Sequence, residues 1–216
     1  AKRKAKELGI KNLKFKQVDI LNIKELDEKY DVIECGGVLH HMKDPVAGWR
    51  SLLDVLAPGG RLFLALYGKK ARQEIFVAQD FAKEHGLSGS LEDIRKYRDL
   101  TYALPDDHPA KAVTRQLDFF STSNLRDLVF HVQEQSYHLH EIQAILDELD
   151  MVCTGLIPHA TAISLLYRSQ FPDDPMMANL ENWEKLEETN PNICIGMYQF
   201  FCARKEDKDK PNTHVK

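Results

Sequence analysis

The sequence predicts an α/β protein: half of a doubly wound sheet domain followed by a helical insertion. Three observations carry this reading. Strand-like and helix-like segments alternate over the first seventy residues. Residues 61–67 are apolar on both faces after the first Arg, as in a strand buried between helix layers. Residues 71–120 and beyond then read as successive amphipathic helices. The 216 residues are enough for one domain with an inserted lobe.

Each element has its own signal. Ala1–Leu8 is basic and helix-prone, and Gly9 is a natural stop. Leu13-Lys-Phe-Lys alternates apolar and charged residues, which predicts a half-buried strand ending at Val18-Asp19. A polar loop or short helix covers Asn22–Glu28. Asp31–Cys35 predicts a second strand, closed by Gly36-Gly37. Asp44-Pro45 predicts a helix start, with Asp as cap and Pro at the first helical position. Val46, Trp49, Leu52, Leu53 and Leu56 share one face of that helix. Pro58-Gly-Gly60 predicts a turn into the Arg61–Tyr67 strand.

Ala71–Glu84 and Leu91–Leu100 are expected as helices of the lobe. Ser121-Thr-Ser123 offers three caps for a helix in which Leu125, Leu128, Val129 and Val132 share a face. Leu139, Ile142, Leu146 and Leu149 mark another helix. Met151–Ile157 and Ile195–Ala203 are expected strands, with helices at Ala160–Tyr167 and Ala178–Glu188 between them. The charged tail from Lys205 is expected to fray. This divides the chain into 1–70, a partial α/β half; 71–150, a helical lobe; 151–204, closing elements; and 205–216, a tail.

Composition removes several functions. Hydrophobic residues at 43% and charged residues at 29% exclude a collagen, a coiled coil or a wholly disordered chain. A net charge of −4 argues against a dedicated nucleic-acid binder. No apolar run approaches the roughly 18 residues of a membrane span. Cys35, Cys153, Cys194 and Cys202 form no C-x-x-C pair, so a reducing, cytoplasmic setting is the expectation rather than a disulfide or cysteine–zinc framework.

Three segments in order resemble the class I S-adenosylmethionine-dependent methyltransferases. Asn12-Leu-Lys-Phe-Lys-Gln-Val-Asp-Ile20 is similar to that family's third strand with its terminal acid. Tyr30-Asp-Val-Ile-Glu-Cys-Gly-Gly-Val-Leu-His-His-Met-Lys-Asp-Pro45 is similar to the fourth strand and its loop. Leu56-Ala-Pro-Gly-Gly-Arg-Leu-Phe-Leu64 is similar to the turn into the fifth strand. Downstream, Phe119-Phe-Ser-Thr-Ser123, Phe130-His-Val-Gln-Glu134 and Gly196-Met-Tyr-Gln-Phe-Phe201 resemble a bacterial branch sometimes joined to tetratricopeptide repeats. The resemblance implies a partial Rossmann-like methyltransferase sheet with its helical insertion after the fifth family strand. It also implies S-adenosyl-L-methionine as cofactor. The family's first two strands and glycine-rich loop have no counterpart in these residues, so an N-terminally truncated piece, inactive alone, is the expectation.

Carried onto this sequence, the resemblance assigns Asp19 to the adenine amino group and Ile20 to the adenine ring. It places Cys35 and Gly36 beside the methionine part of the cofactor, and His40 in the loop lining it. His41 and His131 are the candidate bases, since imidazole suits proton transfer near neutral pH. Tyr67 and Arg72 are candidates for the acceptor side, Arg72 for an anionic group. His138 and His140 lack an obvious third ligand, so no metal site is expected. The acceptor is open between a small molecule and a protein side chain. A non-catalytic regulatory module derived from such a domain is the alternative. A nicotinamide-dependent oxidoreductase shares the sheet type but not the His-His loop.

Overall fold

In the computed structural model the described residues are 1–208 other than Asn192 and Ile195. Four strands form one sheet in the order β1-β2-β4-β3: β1 (Tyr30–Gly36), β2 (Leu56–Tyr67), β3 (Met151–Leu156) and β4 (Met197–Arg204). β1 and β2 are parallel, with Cys35 opposite Leu64 and Gly36 opposite Ala65. β4 is antiparallel to both β2 and β3. The sheet is therefore mixed, and its β1–β2 half has the parallel geometry of a doubly wound fold.

One face of the sheet is covered. Leu62, Leu64 and Leu66 of β2 and Tyr198, Phe200 and Cys202 of β4 are buried there. Three helices supply the cover: α2 (Pro45–Val55), α6 (Leu139–Glu148) and α8 (Leu180–Thr189). Trp49, Leu52, Ile142, Leu146, Trp183 and Leu186 share that core. Asp44 caps α2 as expected, its carboxylate accepting from the Ala47 amide at 2.9 Å. The opposite face is only partly shielded: Val32, Glu34 and Gln199 are exposed, and Phe63 and Phe201 half-buried. The two-sided cover expected for Arg61–Tyr67 is thus one-sided among the described residues.

The lobe has a separate core. α3 (Gln73–Glu84), α4 (Leu91–Ala103), two short 3₁₀ turns and α5 (Thr122–Phe130) surround Ala78, Ile94, Tyr97, Val113, Phe119 and Leu125. The remaining helices are α1 (Lys2–Glu7) and α7 (Thr161–Gln170). The expected 71–150 lobe is therefore shorter: Leu139, Ile142 and Leu146 of α6 pack in the sheet core.

Other expectations are corrected. Residues 12–18 form no strand; a strand needs a neighbour to receive its hydrogen bonds, and no described strand lies beside this one. Asp19 instead opens a 3₁₀ turn, Ile20–Leu26. Ala57–Gly60 is not a turn ahead of the strand but a bulge inside β2, where the register jumps from Leu56 to Arg61. Gly59 has φ +77 there, which suits a residue without Cβ. Ser121 is the cap of α5, and the helix ends at Phe130, so Val132 leaves the apolar face and is fully exposed. The last strand starts at Met197, and Ile195 lies outside the described residues. The tail from Lys205 begins with a 3₁₀ turn in which Asp207 is buried and accepts from the Gly59 amide at 2.8 Å. Its last eight residues lie outside the description.

Candidate active site

Parallel β1 and β2 end on the same side, and the expected site residues gather there. The chain leaves β1 through Gly37, whose φ of +71 turns it away from the strand. His40 and His41 then form a single 3₁₀ turn. Tyr67 is the last residue of β2, and its ring centroid lies 4.0 Å from that of His40. His41 lies 4.3 Å from His40 and 4.2 Å from His131, which caps the end of α5. The guanidinium carbon of Arg72 sits 3.8 Å from the centroid of Tyr67. Five residues chosen from three separate stretches of sequence thus meet in one cluster.

The segment 131–137 holds the cluster together. The Gln135 amide donates to the His40 carbonyl at 2.8 Å, and the Tyr137 amide donates to the Tyr67 carbonyl at 2.8 Å. The Gln133 side chain donates to the His41 carbonyl at 3.3 Å, across 92 residues of sequence. Glu134 accepts from Arg72 at 2.5 Å, with both side chains under a tenth exposed. Sequence reasoning passed over Gln133 and Gln135 and gave Glu134 no role. Their only signal is a polar run straight after a helix.

The histidines are not equivalent. His40 is fully buried, and neither ring nitrogen has a well-aligned hydrogen-bond partner among the described residues. Burial first, then the neighbouring His41 and Arg72, lowers its pKa to about 4, so the ring is neutral at pH 7. His131 Nε2 lies 4.0 Å from Asp127, and its Nδ1 accepts from the Gln133 amide at 3.1 Å. Its lone pair is engaged. His41 is half-buried, and its buried Nδ1 has no partner among the described residues. Of the two candidate bases, His41 is the one whose Nδ1 is not taken by a described hydrogen bond. Burial raises the pKa of Tyr67, opposed by Arg72 and assisted by nearby carboxylates. Arg72, expected to be open to an anion, is 4% exposed and engaged with Glu134 and Tyr67.

A cleft of about 510 Å³ opens beside Tyr67, lined by Asp118, Ser123, Asn124, Asp127 and Leu128 of the lobe. A larger groove of about 680 Å³ runs between β3 and the 173–178 loop and contains none of the expected residues. Size therefore does not identify the site; the strand ends do.

The expected cofactor residues are more dispersed. Asp19 is exposed, and its Oδ1 accepts from the Leu21 amide at 2.9 Å while Oδ2 takes no hydrogen bond among the described residues. Ile20 packs on the sheet core. Cys35 is buried, and desolvation pushes its thiol up to about 11, so it stays protonated. Gly36 leaves bare backbone exposed at the strand end. Among the described residues the Asp19 side chain makes no hydrogen bond or ion pair with β1. His138 and His140 stack at 5.3 Å; His138 and Glu141 form a capping box, and His140 meets Glu184 at 2.7 Å.

Residues 1–103 match the family model described as a methyltransferase domain. An uncharacterized protein of Synechococcus sp. is 35% identical over 202 residues, covering 88% of this chain and 48% of that protein. A tRNA U34 carboxymethyltransferase of Desulfotalea psychrophila is 32% identical over 83 residues, 36% of this chain and 25% of that protein. The chain thus spans half or less of the length of these curated relatives. Among solved structures, PKMT2 from Rickettsia typhi in complex with AdoHcy has a TM-score of 0.69 at 13% identity, covering 95% of this chain and 42% of that one. The likeness is one of fold. The match to a methyltransferase domain thus rests on residues 1–103, and the likeness over the rest of the chain is one of fold. Among the described residues no helix is long and apolar enough to cross a membrane.

Proposed function

We propose that this chain forms the strand-end and acceptor-facing part of an S-adenosylmethionine-dependent methyltransferase. The observation that carries the reading is the meeting of His40, His41, Tyr67, Arg72 and His131 where β1 and β2 end, in a chain matched to that family. The residues fit the cofactor in two places. The free Oδ2 of Asp19 can accept the adenine amino group, with Ile20 against the ring. The bare backbone at Gly36, beside Cys35, admits the methionine part without a Cβ in the way.

When bound, S-adenosylmethionine supplies a methyl group on a sulfonium, open to in-line attack by an acceptor lone pair. The protein's task is alignment and proton removal. His40, which the sequence places in contact with the cofactor, is instead buried against Tyr67 and His41; as a neutral imidazole it backs the site and adds no charge near the sulfonium. His41 takes the acceptor's proton where one must leave, and His131 stacks behind it. Tyr67 and the lobe wall frame the acceptor, a small molecule or a protein side chain. The buried, unpaired thiols of Cys35, Cys153, Cys194 and Cys202 suit a reducing cytoplasm.

The 216 residues contain no G-x-G-x-x-G, so the binding test is made on the protein as it occurs in the cell. Calorimetric titration of S-adenosylhomocysteine into that protein tests the reading. Asp19→Ala is expected to weaken binding by about 1.5–3 kcal/mol, the range for hydrogen bonds involving charged groups. Unchanged affinity removes Asp19 from the site, and no binding by the wild type overturns the reading.

A further inference from the structure

The lobe is entered through residues 68–72 and left through residues 131–138, and these two segments lie side by side. Gly68 and Tyr137 form a parallel bridge, and the Lys69 amide donates to the Tyr137 carbonyl at 2.9 Å. The entering segment carries three cations, each held by a different element. Lys69 meets Glu141 of α6 at 3.1 Å, Lys70 approaches Glu187 of α8 at 3.8 Å, and Arg72 meets Glu134 at 2.5 Å. In the third pair alone both partners are under a tenth exposed. There the cation also covers a site ring.

Stability alone is a poor account of that pair. Burying two charges costs about as much as their attraction returns, and an apolar pair of the same volume often does as well. What the pair supplies is direction. Among the described residues Arg72 Nε has no partner, so the guanidinium is not held by a two-point fork, and Glu134 is the acidic group that meets it. Held there, Arg72 lies on the electron-rich ring of Tyr67, a contact with a preferred geometry. Tyr67 in turn lies against His40, and His40 against His41. The backbone on either side of Glu134 is tied to the same parts: Gln133 to His41, Gln135 to His40 and Tyr137 to Tyr67.

We propose that Glu134 is a positioning residue: acting through Arg72, it fixes the Tyr67 ring and the His40–His41–His131 column at the strand ends. It touches no reacting atom. Its importance to methyl transfer rests on the reading above, but its effect on the histidines does not.

The test therefore has two arms. In the first, this chain is labelled at its histidine rings, and spectra of the wild type and Glu134→Gln are compared, with amide exchange measured over residues 38–43. The expected result is that the ring signals of His40, His41 and His131 move while those of His85, His108 and His159 stay. Exchange over 38–43 is expected to rise about tenfold as the loop loses its anchor. Unmoved ring signals in a folded variant overturn the proposal. If Glu134→Gln does not fold, Arg72→Lys, which keeps the charge and loses the planar contact, must shift the same three signals; no shift overturns it equally. In the second arm, the protein as it occurs in the cell is titrated with S-adenosylhomocysteine, and Glu134→Gln is expected to weaken binding severalfold, because the strand-end residues lose the geometry that Arg72 fixes. Wild-type protein that binds none overturns the methyltransferase reading, while the histidine spectra still decide the role of Glu134. Unchanged affinity alongside shifted histidines overturns the link from Glu134 to the cofactor.

Discussion

Leu13–Val18 and Arg61–Tyr67 are both short stretches rich in apolar residues, and only one is a strand. Leu62, Leu64 and Leu66 are at most 1% exposed, whereas Leu13 is 51% and Phe15 and Val18 are each 37% exposed. The difference lies in their neighbours. β2 has β1 on one side and β4 on the other, so its backbone groups are paired and α2, α6 and α8 cover its apolar face. The Leu13 stretch has no described strand beside it, and its alternation has nothing to face. Pattern specifies which side of a strand is apolar; the partner decides whether there is a strand.

The sharpest way to break this contrast is at its buried end. Leu64→Ala, measured by urea denaturation, is expected to cost about 2–5 kcal/mol through lost burial and a residual cavity. A loss below that of an exposed substitution would mean that β2 is not the centre of the core. The half built on β1 and β2 also carries a pH liability at a buried ring. His40 has a pKa of about 4 when folded, against 6.5 ordinarily. As pH falls below 6.5 the unfolded chain takes up this proton first, so the contribution is intact above 6.5 and drains away toward 4. The loss is about 3 kcal/mol, and His40→Gln should flatten that part of a stability-against-pH curve. Asp44→Ala removes the cap of α2, one of the helices covering β2, and should cost about 1 kcal/mol by thermal or urea unfolding. At the exposed end Phe15→Ala should change stability by less than about 0.5 kcal/mol in this chain. A larger loss would show that the segment is packed after all.

The parts that were legible in the sequence are those fixed by nearby residues. Asp44-Pro45 and Ser121 mark helix starts because a cap acts within three positions. β1, β2 and β4 are readable because their apolar runs end at glycine or charge. The order of strands across the sheet is not local, so the reversed direction of β4 and the sheet-side place of α6 left no mark in their own residues. The same holds for the site. His40 and His41 stand out beside a glycine pair and Tyr67 at a strand end. Nothing in the sequence brings His131 to within 4.2 Å of His41, or joins Arg72 to Glu134 across 62 residues. Asp207 makes the same point in reverse: a charged tail reads as solvated, yet this carboxylate is buried and accepts from the Gly59 amide.

The side-by-side course of residues 68–72 and 131–138 bears on how such a protein can change over time. Gly68 and Tyr137 are already bridged, so the sheet half closes its chain there without help from the helices in between. The lobe is in effect a cassette with both ends at one doorway. A cassette of another length or sequence could be exchanged at that doorway while the hydrogen bonds of the sheet stayed as they are. Because its wall lines the cleft beside Tyr67, each exchange would present the same strand ends with a different surrounding.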